Sequence, residues 1–194
     1  MTAEELIAFE ADIAAEFNAG RIRAPVHLSG GNETDLIQYF EDYVRPEDWL
    51  ALTWRSHYAC LMKGVPPARL KADIMAGRSI TLAYPDFRII SSAIVGGSIP
   101  IALGIALSIK RRGGAEKVHA FVGDMAERTG IFHECAQYAR GHDLPLRFVI
   151  ENNGKSVCTP TNEVWGTKGS PYPNFSYSYE LPWPHAGAGQ RVQF

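Results

Sequence analysis

Apolar positions Leu6, Phe9, Ile13 and Phe17 recur at helical spacing between Thr2 and Ala19, and Gly20 ends the run. Thr2 with Glu5 three residues on reads as a capping box at its start. A second periodic stretch, Thr34 to Val44, offers Leu36, Ile37, Tyr39, Phe40 and Val44 for burial and is closed by Pro46. Trp49 to Trp54 predicts a short buried strand ending at Arg55. Leu61 to Ala76 reads as one or two short helices broken at Gly64-Val65-Pro66-Pro67, and the Gly/Ala-rich stretch Ala93–Leu107 as a close-packed helix with Pro100 in its first turn. Lys110-Arg111-Arg112 before Gly113-Gly114 is a basic helix end and turn. The clearest pattern lies between Val118 and Asn153. An apolar run, Val118–Val122, breaks at Gly123-Asp124-Met125; a helical segment covers roughly Glu127 to Gly141; a second apolar run, Leu146–Ile150, ends at Glu151-Asn152-Asn153. A connection of this length between two buried strands favours a right-handed crossover and a parallel pair. Asp124 and Asn153, one just past each strand, then stand side by side at the edge where open α/β sheets bind ligands.

A carboxylate and an amide at such an edge suit Mg²⁺, which takes hard oxygen ligands and leaves room for substrate phosphates. A main-chain carbonyl after Asn153 can supply a third ligand, and a helix starting near Ala126 points free amides and its positive end at a phosphate. Taken singly, Gly-Asp is a helix cap and Asn-Asn a turn; the pair at a separation of 29 residues points to a binding site.

Composition narrows the field. The 194 residues are enough for one sizeable domain, and 46% hydrophobic with 21% charged residues is an ordinary globular mixture. A net charge of −2 without a basic stripe excludes nucleic acid and anionic membrane as partners, and no apolar run is long enough to span a bilayer. The acidic, amphipathic N-terminus is unlike a signal or transit peptide, and Cys60, Cys135 and Cys158 lack metal-ligand spacing, so reduced thiols and a cytoplasmic location are expected.

Gly123-Asp124, followed at this fixed interval by Asn152-Asn153, resembles the thiamine diphosphate motif. Gly123-Asp124-Met125-Ala126-Glu127-Arg128-Thr129-Gly130, then His133-Glu134-Cys135, Leu144-Pro145 and Glu151-Asn152-Asn153, is similar to the alpha subunit of the first component of 2-oxoacid dehydrogenases (pyruvate, branched-chain and acetoin types), within the transketolase superfamily. The resemblance implies a three-layer α/β/α domain with a mostly parallel sheet, the thiamine diphosphate-binding fold, in shortened form. It implies thiamine diphosphate and Mg²⁺ as cofactors, the metal held by Asp124, Asn153 and the Lys155 carbonyl, and the diphosphate met by Gly123 and the amides of Met125 and Ala126. Met125 stands where the family has a third glycine, a position that acts through its backbone amide.

The resemblance extends upstream. His27-Leu28-Ser29-Gly30-Gly31-Asn32-Glu33 is similar to a family segment whose histidine serves the 2-oxo substrate, so His27 is the leading catalytic candidate, an imidazole titrating near neutrality. Arg55 matches a diphosphate-binding arginine; Trp54 replaces the tyrosine before it and offers only an indole N–H; His57 matches a family histidine and is a second catalytic candidate, with a structural role the alternative. Ala93 and Val95 occupy positions whose main chain meets the aminopyrimidine ring. Arg78–Pro85 departs from the family, so the small-molecule substrate is not inherited.

The resemblance covers roughly residues 3 to 166, and the family's alpha subunit continues well beyond this chain, with a later histidine loop that no segment here supplies. A boundary is expected at residue 169/170: the cofactor domain spans 1–169, and 170–194, rich in Pro and aromatics (Tyr172, Phe175, Tyr177, Tyr179, Trp183, Phe194), forms a tail packed on a partner subunit. The carboxylate that activates the aminopyrimidine comes, in the family, from a beta subunit. A beta-like partner in a heterotetramer is therefore implied, without which the chain is inactive. The expected function is the diphosphate-binding subunit of a split enzyme that forms an activated aldehyde from a 2-oxo acid or ketose and transfers it, carboligase- or transketolase-like. The alternatives are an oxidative 2-oxoacid dehydrogenase alpha subunit passing acyl groups to a lipoyl domain, and a non-catalytic scaffold or regulatory module.

Overall fold

The structure, a computed structural model, describes residues 1–167, 172, 174–185 and 194. Helix α1 (Ala3–Asn18) begins at the expected capping box: Thr2 Oγ1 accepts from Glu5 N at 3.3 Å and Glu5 Oε2 from Thr2 N at 2.8 Å. Helix α2 (Glu33–Tyr43) follows, then strand β1 (Trp49–Leu52) and helices α3 (His57–Met62) and α4 (Pro67–Met75). The break at Gly64–Pro67 falls where the breakers predict, but α3 starts four residues before Leu61. Strands β2 (Ala83–Tyr84) and β3 (Ile89–Ser91) are too short to show periodicity. Helix α5 (Ser98–Arg111) carries Pro100 in its first turn, where its missing N–H has no intrahelical partner to lose. Then come β4 (Val118–Gly123), α6 (Gly130–Gly141), β5 (Leu146–Asn152), the hairpin β6 (Lys155–Ser156) and β7 (Thr159–Pro160), helix α7 (Thr161–Trp165) and β8 (Phe175–Ser178).

Six strands form one sheet in the order β2-β3-β1-β4-β5-β8, parallel except for β2. Alternation along each strand sends side chains to opposite faces. Leu50, Leu52, Phe121, Val149 and Tyr177 pack under α1 to α4, while Ala51, Ala120, Val122, Phe148 and Ile150 pack under α5 and α6. This is the expected three-layer α/β/α arrangement. The chain moves from β1 to β3 on one side, then crosses to β4 on the other. That reversal opens a crevice beyond the carboxyl ends of β1 and β4.

The described part of residues 170–194 packs on this chain's own sheet and core. It adds β8 to the sheet beside β5, pairing Val149 with Phe175 and Asn152 with Ser178, and Tyr177 is buried in this chain's own core. Tyr179, Trp183 and Phe194 pack against the same core. Ser170, Pro171 and Pro173, and the boundary at residue 169/170, lie outside the described residues. Cys60 and Cys135 are buried and Cys158 exposed, all as free thiols. Among the described residues no helix is long and apolar enough to cross a membrane.

Two buried polar networks tie the helical layer to the sheet. Glu10 of α1 accepts from Ser29 N at 2.8 Å and meets His57 Nδ1 at 3.0 Å, while His57 Nε2 lies 2.9 Å from Ser79 Oγ. His57 is fully buried with both ring nitrogens engaged. The proton-transfer role expected for it is thus replaced by a structural one: it holds α3 to α1. At the amino end of β4, His119 Nδ1 lies 2.6 Å from Tyr39 Oη and His119 Nε2 lies 3.2 Å from Asp48 Oδ2. A neutral imidazole donating to Asp48 and accepting from Tyr39 satisfies all three groups.

Glu10→Ala leaves His57 and Ser29 N buried without their acceptor. It is expected to lower the unfolding free energy by about 3–5 kcal/mol, read from urea titrations. An unchanged midpoint would show that His57 is free for other work. Burial pushes the His119 imidazole down to about 4. Burial also acts to raise Asp48, but the N–H groups of Lys117 and Arg45 and the His119 ring hold it below its ordinary range. Both shifts have one sign: the unfolded chain binds more protons as the pH falls, so stability drops on acidification. For His119 the window runs from 6.5 to about 4. His119→Gln is expected to remove an acid-dependent loss on the order of 3 kcal/mol, seen in unfolding curves at stepped pH.

Candidate functional site

The carboxyl ends of the central strands converge on one pocket. Thr53, Trp54 and Arg55 follow β1, Ile94, Val95 and Gly96 follow β3, Gly123 to Ala126 close β4, and Glu151 and Asn153 end β5. Lys155, Ser156 and Tyr179 complete it. The parallel register sets Gly123 opposite Glu151, which puts Asp124 and Asn153 at the same edge, as their spacing predicts. Ala93 falls outside this lining; the wall after β3 is built by the three residues that follow it. Gly96 has φ +72°, and a Cβ there would lie 3.0 Å from Ile131 Cγ2, so both backbone and space call for glycine.

Asp124 is a buried carboxylate of the pocket. One oxygen accepts from the Thr161 hydroxyl at the start of α7. The other, Oδ1, is buried and makes no hydrogen bond among the described residues. Burial raises this carboxyl above its usual range, with the Thr161 hydroxyl and the nearby N–H groups of Asp124 and Asn153 acting against it. Asn153 Oδ1 accepts from Lys155 N at 3.2 Å, which turns the chain at Gly154 (φ 75°) and brings Lys155 into the lining. An amide oxygen has a second lone pair, so this bond leaves Asn153 able to bind a cation.

Opposite stand two donors in the same condition. Trp54 Nε1 and Arg55 Nε are buried without hydrogen-bond partners among the described residues. Burial pushes the Arg55 guanidinium down, against the fields of Tyr179, Glu151 and Glu10. The expected α-helix at Ala126 is corrected. A 3₁₀ turn spans Ala126–Arg128 and α6 begins only at Gly130, so the Met125 and Ala126 amides belong to a turn and not to a helix end.

His27 lies one aromatic layer behind the pocket, edge-on to Trp54 at 5.9 Å between ring centroids. It is buried, its Nδ1 makes no hydrogen bond among the described residues, and burial pushes its pKa down to about 3, helped by His185 and Arg55. The near-neutral titration expected for it gives way to a ring held neutral.

Four members of the site lay beyond sequence reasoning: Thr161, Glu151, Tyr179 and His185. Thr161 follows Pro160 at the start of a five-residue helix and gives no local signal of a carboxylate partner. Glu151 accepts from Tyr177 Oη at 2.7 Å and from Asn32 Nδ2 at 3.2 Å, and burial raises its carboxyl to about 7. Its partners lie on β8 and on the loop before α2, distant in sequence. Tyr179 reaches the pocket because its N–H bonds Asn152 O at 3.0 Å, just past β8.

Comparison with known proteins agrees with this geometry. The family model described as dehydrogenase E1 component matches residues 1–170. The acetoin:2,6-dichlorophenolindophenol oxidoreductase alpha subunit of Cupriavidus necator is 30% identical over 184 residues, covering 90% of this chain and 54% of that protein. The subunit of the same name from Bacillus subtilis is 31% identical, covering 80% of this chain and 50% of its own length. A chloroplastic pyruvate dehydrogenase E1 component subunit alpha-3 from Oryza sativa is 29% identical, covering 75% and 38%. The chain thus spans about half the length of the first two relatives and less of the third. With the matched residues running through α1 to the end of the hairpin and α7, and the motif residues gathered around one pocket, the chain belongs to the dehydrogenase E1 component family, whose cofactor is thiamine diphosphate.

Proposed function

We propose that this chain is the diphosphate-binding part of an oxidative, thiamine diphosphate- and Mg²⁺-dependent dehydrogenase component, working with a beta-like subunit. One observation carries the reading. Asp124 Oδ1, Trp54 Nε1 and Arg55 Nε are buried at a single pocket with no hydrogen-bond partners among the described residues. Buried polar groups without partners are costly and rare, and one acceptor with two donors is the complement of a metal–diphosphate pair. The residues present therefore fit the cofactor.

In this reading Asp124, Asn153 and the Lys155 carbonyl hold Mg²⁺, hard oxygens for a hard cation. Arg55, the Trp54 indole and the Met125 and Ala126 amides take the diphosphate oxygens. Thr161 keeps the Asp124 carboxylate turned inward by occupying its other oxygen. Val95 and Ile94 offer an apolar wall to the ring system. When bound, thiamine diphosphate supplies the electron sink for breaking a carbon–carbon bond next to a carbonyl. His27, one ring behind Trp54, stands on the substrate side as a buried neutral imidazole. Trp54 and Tyr179 keep water from the diphosphate end.

The relatives named for acetoin and pyruvate oxidation favour the oxidative reading over carboligase or ketol transfer, and small 2-oxo acids or acetoin-like compounds become the substrates to test. Their designation as alpha subunits supports a beta-like partner carrying the activating carboxylate, in a heterotetramer. Ile94, 74% exposed, with Val95 and Ile131, forms an apolar rim beside the pocket on which such a partner can seat. A scaffold has no use for Asp124, Asn153 and Arg55 at one pocket, which argues against the non-catalytic reading.

Calorimetric titration of thiamine diphosphate with Mg²⁺ tests this, using the chain alone and with its co-purifying partner. Binding is expected to require the metal and to tighten with the partner. Asp124→Ala is expected to weaken it by about 100-fold, equivalent to about 3 kcal/mol. Absence of binding under both conditions, or an Asp124→Ala variant binding like the wild type, would sink the proposal.

A further inference from the structure

After β8 the chain doubles back across the loop that carries His27. Glu180 O lies where a Cβ on Gly31 would be 2.0 Å away, and Gly31 has φ +81°. Pro182 Cγ and Trp183 Nε1 each lie 3.0 Å from a Cβ built on Gly30. Two adjacent glycines therefore allow the segment to lie flat on the loop. At its end His185 stacks on His27, with ring centroids 4.2 Å apart and planes 17° from parallel. His185 Nδ1 is 3.5 Å from Arg55 Nη2.

The segment is held on both sides. Upstream, Tyr179 N donates to Asn152 O, extending the β8 pairing. On the other side Trp183 packs edge-on to Phe194 at 5.8 Å, and Phe194 is clasped by α1: Asn18 Nδ2 donates to Phe194 O and Phe194 N to Asn18 Oδ1, each at 2.9 Å. Phe194 also rests on Phe17 at 5.1 Å.

We infer that Tyr179–His185 is a strap the chain folds over its own substrate-side loop, and that His185 is a positioning residue whose imidazole fixes the ring of His27 by stacking. The inference deepens the proposed function, because it takes His27 as the substrate-side imidazole. Stacking suits this task. It restrains rotation of a ring whose Nδ1 has no hydrogen-bond partner among the described residues, and it excludes the water that would otherwise solvate a charged form. The charged and titratable groups acting on His27 are His185 on the strap, Arg55 after β1 and His57 on α3; all three disfavour its protonation, after burial itself. Burial and Arg55 lower the His185 imidazole as well, so the pair stacks as two neutral rings. A cation on His185 would face Arg55 across 3.5 Å.

The test is NMR of the imidazole nitrogens in the cofactor-free chain, titrated between about pH 4 and pH 8, the span of histidine titration. In the wild type His27 is expected to stay neutral throughout. His185→Ala should raise its midpoint by about one unit or more, since burial and a neighbouring imidazole are both reduced. His185→Phe, which restores an aromatic plate, should bring it back towards the wild type. Gly31→Ala changes neither imidazole but drives a methyl into Glu180 O, so it should lift the strap and reproduce His185→Ala. His119, at the opposite end of the sheet, reports that the fold is intact. If His185→Ala and Gly31→Ala both leave the His27 signals and midpoint unchanged, the inference falls. Because the readout needs no cofactor, that failure is distinct from a failure to bind thiamine diphosphate with Mg²⁺.

Discussion

The parallel pairing of β4 with β5 is the constraint on which the site depends. Its register, Val118 to Leu146 through Gly123 to Glu151, ends both strands at the same edge and sends Asp124 and Asn153 into one pocket. An antiparallel pair would have placed the two residues at opposite ends of the sheet. The chain reversal between β3 and β4 then opens the crevice that these ends border, bringing Trp54 and Arg55 from β1 to the same place. Topology, before any side-chain detail, decides where a ligand can bind.

What the pocket holds in common is incomplete hydrogen bonding. An acceptor on Asp124 and donors on Trp54 and Arg55 are withdrawn from water without partners among the described residues. Leaving such groups unsatisfied costs on the order of 1–3 kcal/mol each. Hydrogen-bonded networks lie nearby: Glu10 with Ser29 and His57, and Glu151 with Asn32 and Tyr177. These networks are also connectors. Glu10 fixes the loop bearing His27 to the first helix, while Glu151 ties that loop's far end to β5 and β8. The His27 loop is thereby gripped from beneath by carboxylates and covered from above by Glu180 to His185.

Much of this was written locally. The Thr2–Glu5 capping box, the heptad-like spacing of Leu6, Ile13 and Phe17, and the apolar runs bounded by Gly123 and by Asn152-Asn153 all express interactions between near neighbours, which a sequence displays directly. The crossover length between the two runs was enough to imply a parallel pair, and hence the meeting of Asp124 with Asn153. Motif resemblance added Arg55, Trp54 and the loop of His27. Short strands such as Ile89–Ser91 and Phe175–Ser178 were not legible, because three or four residues show no period and their place is set by a neighbour far along the chain.

The sequence by itself determined the helices, the central strands and the residue types at the cofactor edge. Tertiary structure alone decided what each titratable group experiences. His57 became structural because Glu10, 47 positions away, reaches its ring. Burial holds the His27 imidazole neutral, and His185, stacked on it from far along the chain, acts in the same direction, while the described part of the aromatic tail adds a strand at the edge of β5. Burial, charge and hydrogen-bond partnership are sums over spatial neighbours. A sequence orders residues along one dimension, and only folding brings the distant ones into contact.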